Sequence, residues 1–337
     1  MKKNKIICLL LSVFLMFGIF TSCNSKKSKA DNTDKKIKVI STIFPTYDVA
    51  KQIVGDKANN FDIELLSNNG VDLHSYKPSA DDIVRIAKSN IFIYVGGDSD
   101  KWAEDVIKQA KKINPNLICV NLVKTLGNKA KEEEVKEGME KEDHDDHDDH
   151  DDHDKEDEKE LDEHVWLSLE NMETFTKELG KVFGKVDSKN AEYYKKQVDK
   201  YEDKLDKLDD KYEDAVKQSS KKTLIFADRF PFRYLIDDYK LNYYAAFVGC
   251  STESNASFET IKFLANKVDK NNISYVIVIE NNNKKIANAV IQNTKNKNQK
   301  ILNMDSMQSI NENDIKSGKT YLKTMENNLE TLKKALS

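Results

Sequence analysis

The chain has 337 residues, 39% hydrophobic and 33% charged, enough for two ordinary domains with buried cores. Its formal charge of −4 hides one segment, 140–163, in which 16 acids stand against 3 lysines, a local charge of −13. Outside that segment and the first 22 residues the balance is +6, too diffuse for a nucleic-acid footprint, and no run of ~20 apolar residues follows the N-terminus to suggest a polytopic membrane protein.

Lys2, Lys3 and Lys5 precede a fifteen-residue apolar run, Ile6 to Phe20, which ends in Thr21-Ser22-Cys23. A positive start, an apolar middle and small residues before the cut are the marks of a targeting segment. The cysteine at its end resembles a bacterial lipobox, so Cys23 is expected to carry lipid after removal of residues 1–22. Residues 23–36 lack an apolar pattern and read as a flexible tether. With Cys8 in the signal, only Cys119 and Cys250 remain; lying on different predicted strands, they are expected to be buried free thiols and not a disulfide framework.

From there, short β-rich runs alternate with helical patterns. The strands expected in the first half are Ile37–Phe44, Phe61–Ser67, Ile91–Val95 and Leu117–Leu122; in the second, Thr223–Ala227, Asn242–Val248, Ser274–Glu280 and Lys300–Asp305. Most are continuous apolar runs, as in strands covered on both faces. Helical patterns at Ser79–Ser89, Ser99–Ile113, Ser257–Lys270 and Lys284–Lys295 lie between them. The alternation predicts an α/β protein of two lobes, 37–187 and 220–337, each with a roughly four-stranded parallel sheet flanked by helices.

The joint between them, 188–219, contains no Gly or Pro and places Tyr194, Val198, Tyr201, Leu205, Leu208, Tyr212 and Ala215 at alternating steps of four and three. That stripe predicts one long connecting helix spanning both lobes, which should limit their relative motion. Residues 125–163 break the pattern. They include His144, His147, His150 and His153 at a strict three-residue period among aspartates, and are expected to form a long solvated loop in the first lobe.

Imidazole suits Zn²⁺, Cu²⁺ and Ni²⁺, so four histidines on a pliable acidic segment should gather metal in shifting combinations. The other two of the six histidines, His74 and His164, stand at element boundaries and outside any apolar stripe. Each alone reads as structural; beside a metal-collecting loop, both become candidate ligands.

The segments Asp72-x-His74-x-Tyr76-x-Pro78-Ser79-x-x-Asp82 and Asp162-x-His164-Val165-Trp166-Leu167-Ser168 carry a resemblance. Together with the lipobox, the long helix and Glu280 at a strand end, they make the chain similar to the zinc and manganese solute-binding proteins of bacterial ABC importers, the TroA-like family. The His-Asp loop before the second motif points to the zinc branch. The resemblance implies a metal held in a cleft between two α/β lobes, with Zn²⁺ as cargo, Mn²⁺ as the alternative, and no catalytic role. Its partners would be an importer permease and ATPase and, through the lipid, the outer face of the cytoplasmic membrane; the protein itself would be a monomer. It also implies His74 and His164 as first-lobe ligands and Glu280 as a second-lobe carboxylate. The remaining family ligand follows the fifth strand, where this chain has Ala227. Asp228 is the nearest replacement, although Arg229 could hold it in an ion pair, and Glu253 is the other donor considered. Cys250 would be an attractive soft ligand, but its apolar neighbours favour burial.

Two readings from other classes compete. A secreted metal-dependent hydrolase would need an open metal position and a general base, and neither H-E-x-x-H nor G-x-S-x-G occurs. A surface adhesin using the long helix and charged loop is not selected by any motif.

Overall fold

The computed structural model describes residues 36–67, 69–140, 160–251 and 255–337. Chain order gives β1 (Ile37–Ser41), α1 (Phe44–Val54), β2 (Phe61–Leu65), α2 (Ala80–Ala87), β3 (Ile91–Tyr94), α3 (Trp102–Ile113), β4 (Ile118–Asn121) and α4 (Leu122–Leu126). Two helices follow, α5 (Leu169–Val186) and α6 (Ala191–Gln218). The remainder is β5 (Thr223–Phe230), α7 (Arg233–Asp238), β6 (Asn242–Val248), α8 (Phe258–Lys270), β7 (Tyr275–Ile279), α9 (Lys285–Gln292), β8 (Lys300–Met304), α10 (Glu312–Lys316) and α11 (Tyr321–Ala335).

The eight strands form two sheets of the same design, ordered β2-β1-β3-β4 and β6-β5-β7-β8, with every pair parallel. Parallel strands need crossover helices, which cover both faces and explain the unbroken apolar runs. The first run stops short of its expected end. Pro45 falls in the first turn of α1, where a missing N–H is no loss, while Ser41 Oγ and Thr46 Oγ1 lie 2.7 Å apart across the corner. In the second sheet β5 continues to Phe230, with a register shift between Phe226 and Arg229.

Helix α6 joins the halves over 28 residues, about 42 Å at 1.5 Å per residue. Its buried stripe is the expected one except at the end, where Val216 and not Ala215 is fully covered. Near its start, Tyr194 packs edge-on against Phe61 of β2 with centroids 5.9 Å apart. Near its end, Tyr212 stacks on Tyr239 at 5.1 Å and donates its hydroxyl to the Met325 carbonyl at 2.7 Å. One helix is thus rooted in both lobes. Trp166 adds a second tie, donating Nε1–H to Ser306 O at 2.9 Å while its own carbonyl accepts from Tyr321 Oη at 2.8 Å. Among the described residues no helix is long and apolar enough to cross a membrane.

The expectation that 125–163 is solvated throughout is corrected at both described flanks. Thr125 and Leu126 close α4, and the strap Ala130–Glu140 lies against the second lobe. Lys131 N donates to Tyr234 Oη at 3.0 Å and its ammonium pairs with Asp237 at 2.8 Å. Glu134 pairs with Arg233, Lys136 sits 4.0 Å from the Tyr243 ring centre, and Glu140 N donates to Ala246 O at 2.9 Å. Met139 is buried. The physical reason is that several of the strap's charged side chains find partners on α7 and β6 and Met139 is buried, which a count of charged residues cannot distinguish from solvation. His144, His147, His150, His153 and Cys23 lie outside the described residues, as does Glu253.

Candidate metal centre

His74, His164 and Cys250 lie in loops at the carboxyl ends of parallel strands or in a segment packed there, the edge at which α/β sheets bind ligands. His74 belongs to a short 3₁₀ turn, Leu73–Ser75, after β2, and Asp72 caps that turn by accepting from His74 N at 3.0 Å. His164 opens a second such turn, Val165–Leu167, and is fully buried.

The two rings point their Nε2 atoms at each other, 3.3 Å apart. Behind each ring stands a carboxylate. His74 Nδ1 lies 3.0 Å from Glu163 Oε1 and 2.5 Å from Ser99 Oγ; His164 Nδ1 lies 2.9 Å from Asp162 Oδ1. A carboxylate accepts and never donates when ionised, so it fixes the proton on Nδ1 and leaves the Nε2 lone pair as an acceptor. Two lone pairs facing across 3.3 Å repel unless a cation or proton lies between them. Two nitrogens on one tetrahedral zinc, each at about 2.0–2.1 Å, stand about 3.3 Å apart. The spacing fits an ion.

Burial on its own would raise Glu163, but the hydrogen bond from His74, the His74 and His164 charges and Ser99 outweigh it and hold the carboxyl at about 2. For His164 burial lowers the value, and Asp162, Glu163 and Glu133 more than offset that, so the ring sits above its ordinary value. Negative charge around these rings favours a cation in their midst.

The second lobe presents Cys250, in the loop after β6. A ring nitrogen from each histidine and Cys250 Sγ lie within 4.8 Å of one another. The thiol donates to Glu163 Oε1 at 3.5 Å, and Cys250 N donates to Glu133 Oε1 of the strap at 3.1 Å. Cys250 and Cys119 are both free and only partly buried, short of the full burial expected. Gly249 admits the close approach, because a Cβ there would stand 2.8 Å from His164 Cε1.

Glu280 and Asp228 face other tasks. Glu280 accepts from Ser306 N at 2.7 Å, Ser306 Oγ at 2.6 Å and Gln308 N at 3.1 Å, which shapes the turn after β8. Burial and the nearby Asp305 raise its carboxyl. Asp228 accepts from Ile279 N at 2.9 Å and Asn282 Nδ2 at 2.6 Å, stitching β5 to the end of β7 where the register shifts. The Arg229 guanidinium pairs with Asp72 Oδ2 at 2.6 Å, and its charge still acts on Asp228, partly offsetting the rise that burial imposes on that carboxyl. Gln308, unnoticed in the sequence, reaches His74 Nε2 with its amide nitrogen at 3.2 Å, while its Oε1 is buried without a hydrogen-bond partner. Ser99, Glu133 and Glu163 were likewise silent in the sequence; only the adjacency of Glu163 to His164 gave any signal.

The family model for the periplasmic zinc-uptake complex component A, ZnuA, matches residues 39–335. The chain belongs to the ZnuA family. Zinc-binding lipoprotein AdcA of Streptococcus pneumoniae is 28% identical over 338 residues, covering 98% of this chain and 60% of its own length. This ZnuA-family chain therefore spans about three-fifths of the streptococcal relatives it matches. The high-affinity zinc uptake system protein ZnuA of Bacillus subtilis is 28% identical over 322 residues, covering 95% of this chain and 94% of its own. Among solved structures, the Zn(II)-bound ZnuA-like domain of the pneumococcal AdcA superposes with a TM-score of 0.68 at 24% identity, covering 89% of this chain and 99% of that one. The metal-dependent lipoprotein YcdH of Bacillus subtilis gives 0.70 at 24% identity, covering 90% and 100%. They share the two-lobed fold with the long helix.

Proposed function

We propose that this chain is the extracytoplasmic binding component of a bacterial ABC importer, which captures Zn²⁺ between its lobes and delivers it to a membrane permease. Residues 1–22 serve as the signal, Cys23 carries the lipid that holds the protein at the outer face of the membrane, and 23–36 form the tether. The lobes are 37–187 and 220–337, with 188–219 as the helix between them. One observation carries the reading: the Nε2 atoms of His74 and His164, each backed by a carboxylate, meet at the separation two ligands of one zinc ion require. The zinc named in the family description and in those of the relatives points the same way. Mn²⁺ ranks below Zn²⁺ because imidazole-rich sites hold zinc more tightly.

His144, His147, His150 and His153 act as an auxiliary collector, weaker and less selective than the cleft because binding there must first order the segment. Glu280 serves the site by fixing the turn that carries Gln308, and would become a ligand only by giving up its bonds to Ser306 and Gln308. The test is zinc titration under chelator competition. His74→Ala and His164→Ala should each abolish one tight equivalent with the fold retained. Unchanged affinity in both would sink the assignment.

A further inference from the structure

We propose that Cys250 supplies the second lobe's ligand to the captured ion, so that the cargo sits among His74 Nε2, His164 Nε2 and a thiolate. This rests on the zinc-capture reading above and goes past it by naming the donor that takes the place of the family ligand missing at Ala227.

Position is the first argument. Cys250 is the second-lobe metal-ligating side chain that comes within 4.8 Å of ring nitrogens of both histidines among the described residues. A tetrahedral zinc with Zn–N near 2.0 Å and Zn–S near 2.3 Å has N and S about 3.6 Å apart. Closing that gap takes a movement of about 1.2 Å at most, on a loop whose backbone is already held by Glu133 and by a Ser251 N to Val248 O bond at 3.4 Å. The second argument is availability. Asp228 and Glu280, the two carboxylates nearest by sequence reasoning, are committed to backbone amides and to Asn282 and Ser306. Cys250 Sγ meets only two carboxylates, Glu163 at 3.5 Å, which also stands behind His74, and Glu133 of the strap, and neither bond holds it in a turn or a strand. When the ion binds, the S–H bond breaks, the S–metal bond forms, and the proton leaves to solvent. Glu163 is then released to serve His74 and Ser99 alone.

The chemistry fixes the preference. Thiolate is a soft donor that suits zinc and is poorly matched to manganese, which favours carboxylate, carbonyl and water. Two imidazoles and a thiolate therefore make the cleft discriminate against Mn²⁺ by ligand type as well as by the general affinity order.

The experiment loads the full chain with Co²⁺ as a spectroscopic stand-in and looks for the sulfur-to-cobalt charge-transfer band in the near ultraviolet. The band should appear, persist in Cys119→Ser and vanish in Cys250→Ser and Cys250→Ala. Cobalt on the histidine-rich segment gives nitrogen and oxygen ligation and no such band, so the collector does not confuse the readout. Zinc affinity should fall by at least the 10–100-fold seen when groups behind a ligand are removed. The preference for Zn²⁺ over Mn²⁺ should narrow in both variants. Circular dichroism melts of the metal-free variants check folding, and peptide-resolved alkylation of the unmutated protein gives an independent reading: zinc should protect Cys250 and leave Cys119 as reactive as before. A tight zinc equivalent that depends on His164, without a sulfur band and without protection of Cys250, would overturn the thiolate and leave the importer reading standing. Absence of any tight equivalent in the unmutated chain would overturn both.

Discussion

Gly249→Ala probes the site without touching a ligand. The residue's backbone lies outside the left-handed region, so alanine brings no conformational penalty and its effect is steric. The new Cβ would stand 2.8 Å from His164 Cε1 and 3.0 Å from both His164 Nδ1 and Phe230 O, where carbon contacts normally settle near 3.5–4.0 Å. The ring has nowhere to retreat. It is fully buried, with Asp162 at 2.9 Å on Nδ1, His74 at 3.3 Å on Nε2 and the Trp166 ring centre at 5.5 Å. Relief of about 0.7 Å must therefore come from the ring or from the loop that carries Cys250, and metal sites tolerate only about 0.2 Å in their ligand distances. Both movements injure the same site. Overpacking of this kind costs about 1–3 kcal/mol of stability, and displacement of a ligand's support weakens metal affinity by about 10–100-fold. At saturating zinc the metal's contribution to stability should shrink by about 1.4–2.7 kcal/mol, since it follows RT ln(1 + [L]/Kd). Chelator-competition titration and melts with and without zinc measure the two effects separately. Gly184→Ala is the control, because its Cβ would meet Ala191 at 3.3 Å, between α5 and α6. Should Gly249→Ala fold normally and bind zinc within twofold of the unmutated chain, His164 is not held where the argument requires.

Asp162→Asn keeps the shape behind His164 but removes the charge that orients Nδ1–H, and should weaken zinc by about 10–100-fold in the same titration with little change in the metal-free melt. Glu173 on α5 is raised to about 7 by burial first and then by its hydrogen bond with Asp206 on α6. A raised carboxyl favours the protonated folded state, so its contribution is present below the ordinary value near ~4.3 and is lost as pH rises through about 7. Glu173→Gln should therefore stabilise the chain at pH 8 more than at pH 5, by less than about 1 kcal/mol for so solvent-screened a pair, and equal urea midpoint shifts at both pH values would contradict it. Tyr212→Phe removes the hydroxyl bond to the Met325 carbonyl, which lies inside α11 and keeps its place in the helical ladder, and should cost about 0.5–1.5 kcal/mol in urea unfolding while sparing zinc affinity. Deleting 143–154 should remove weak zinc equivalents and keep the tight one; loss of the tight one would place the cargo on the loop.

What the sequence reveals follows from how local each signal is. Eight buried strands and a six-turn stripe announce themselves by apolar period, because burial on one or both faces writes directly into the order of residues. His74 and His164 stand out in the sequence because both sit at element boundaries and outside any apolar stripe, which marks them as candidates. Glu280 and Asp228 draw notice for another reason: a carboxylate at a strand end needs partners, and in the structure backbone amides from Ile279, Ser306 and Gln308 supply them. Cys250 hides because a thiol beside Phe247 and Val248 looks like packing, and only the third dimension puts it next to two imidazoles. Gln308 lies 234 positions from His74, and no spacing rule spans that distance.

The strap between Ala130 and Glu140 has a bearing on how readily the two lobes can part. It leaves the first lobe at α4 and is fastened to the second by Lys131–Asp237, Glu134–Arg233 and the Glu140–Ala246 bond. Any widening of the cleft stretches this fastening as well as bending α6, so the strap acts as a latch in parallel with the spine. Latches of surface ion pairs yield to salt. If the cleft takes up Zn²⁺ as proposed, loosening Arg233 or Asp237 should change how fast the ion enters and leaves, through residues that do not line the histidine pair.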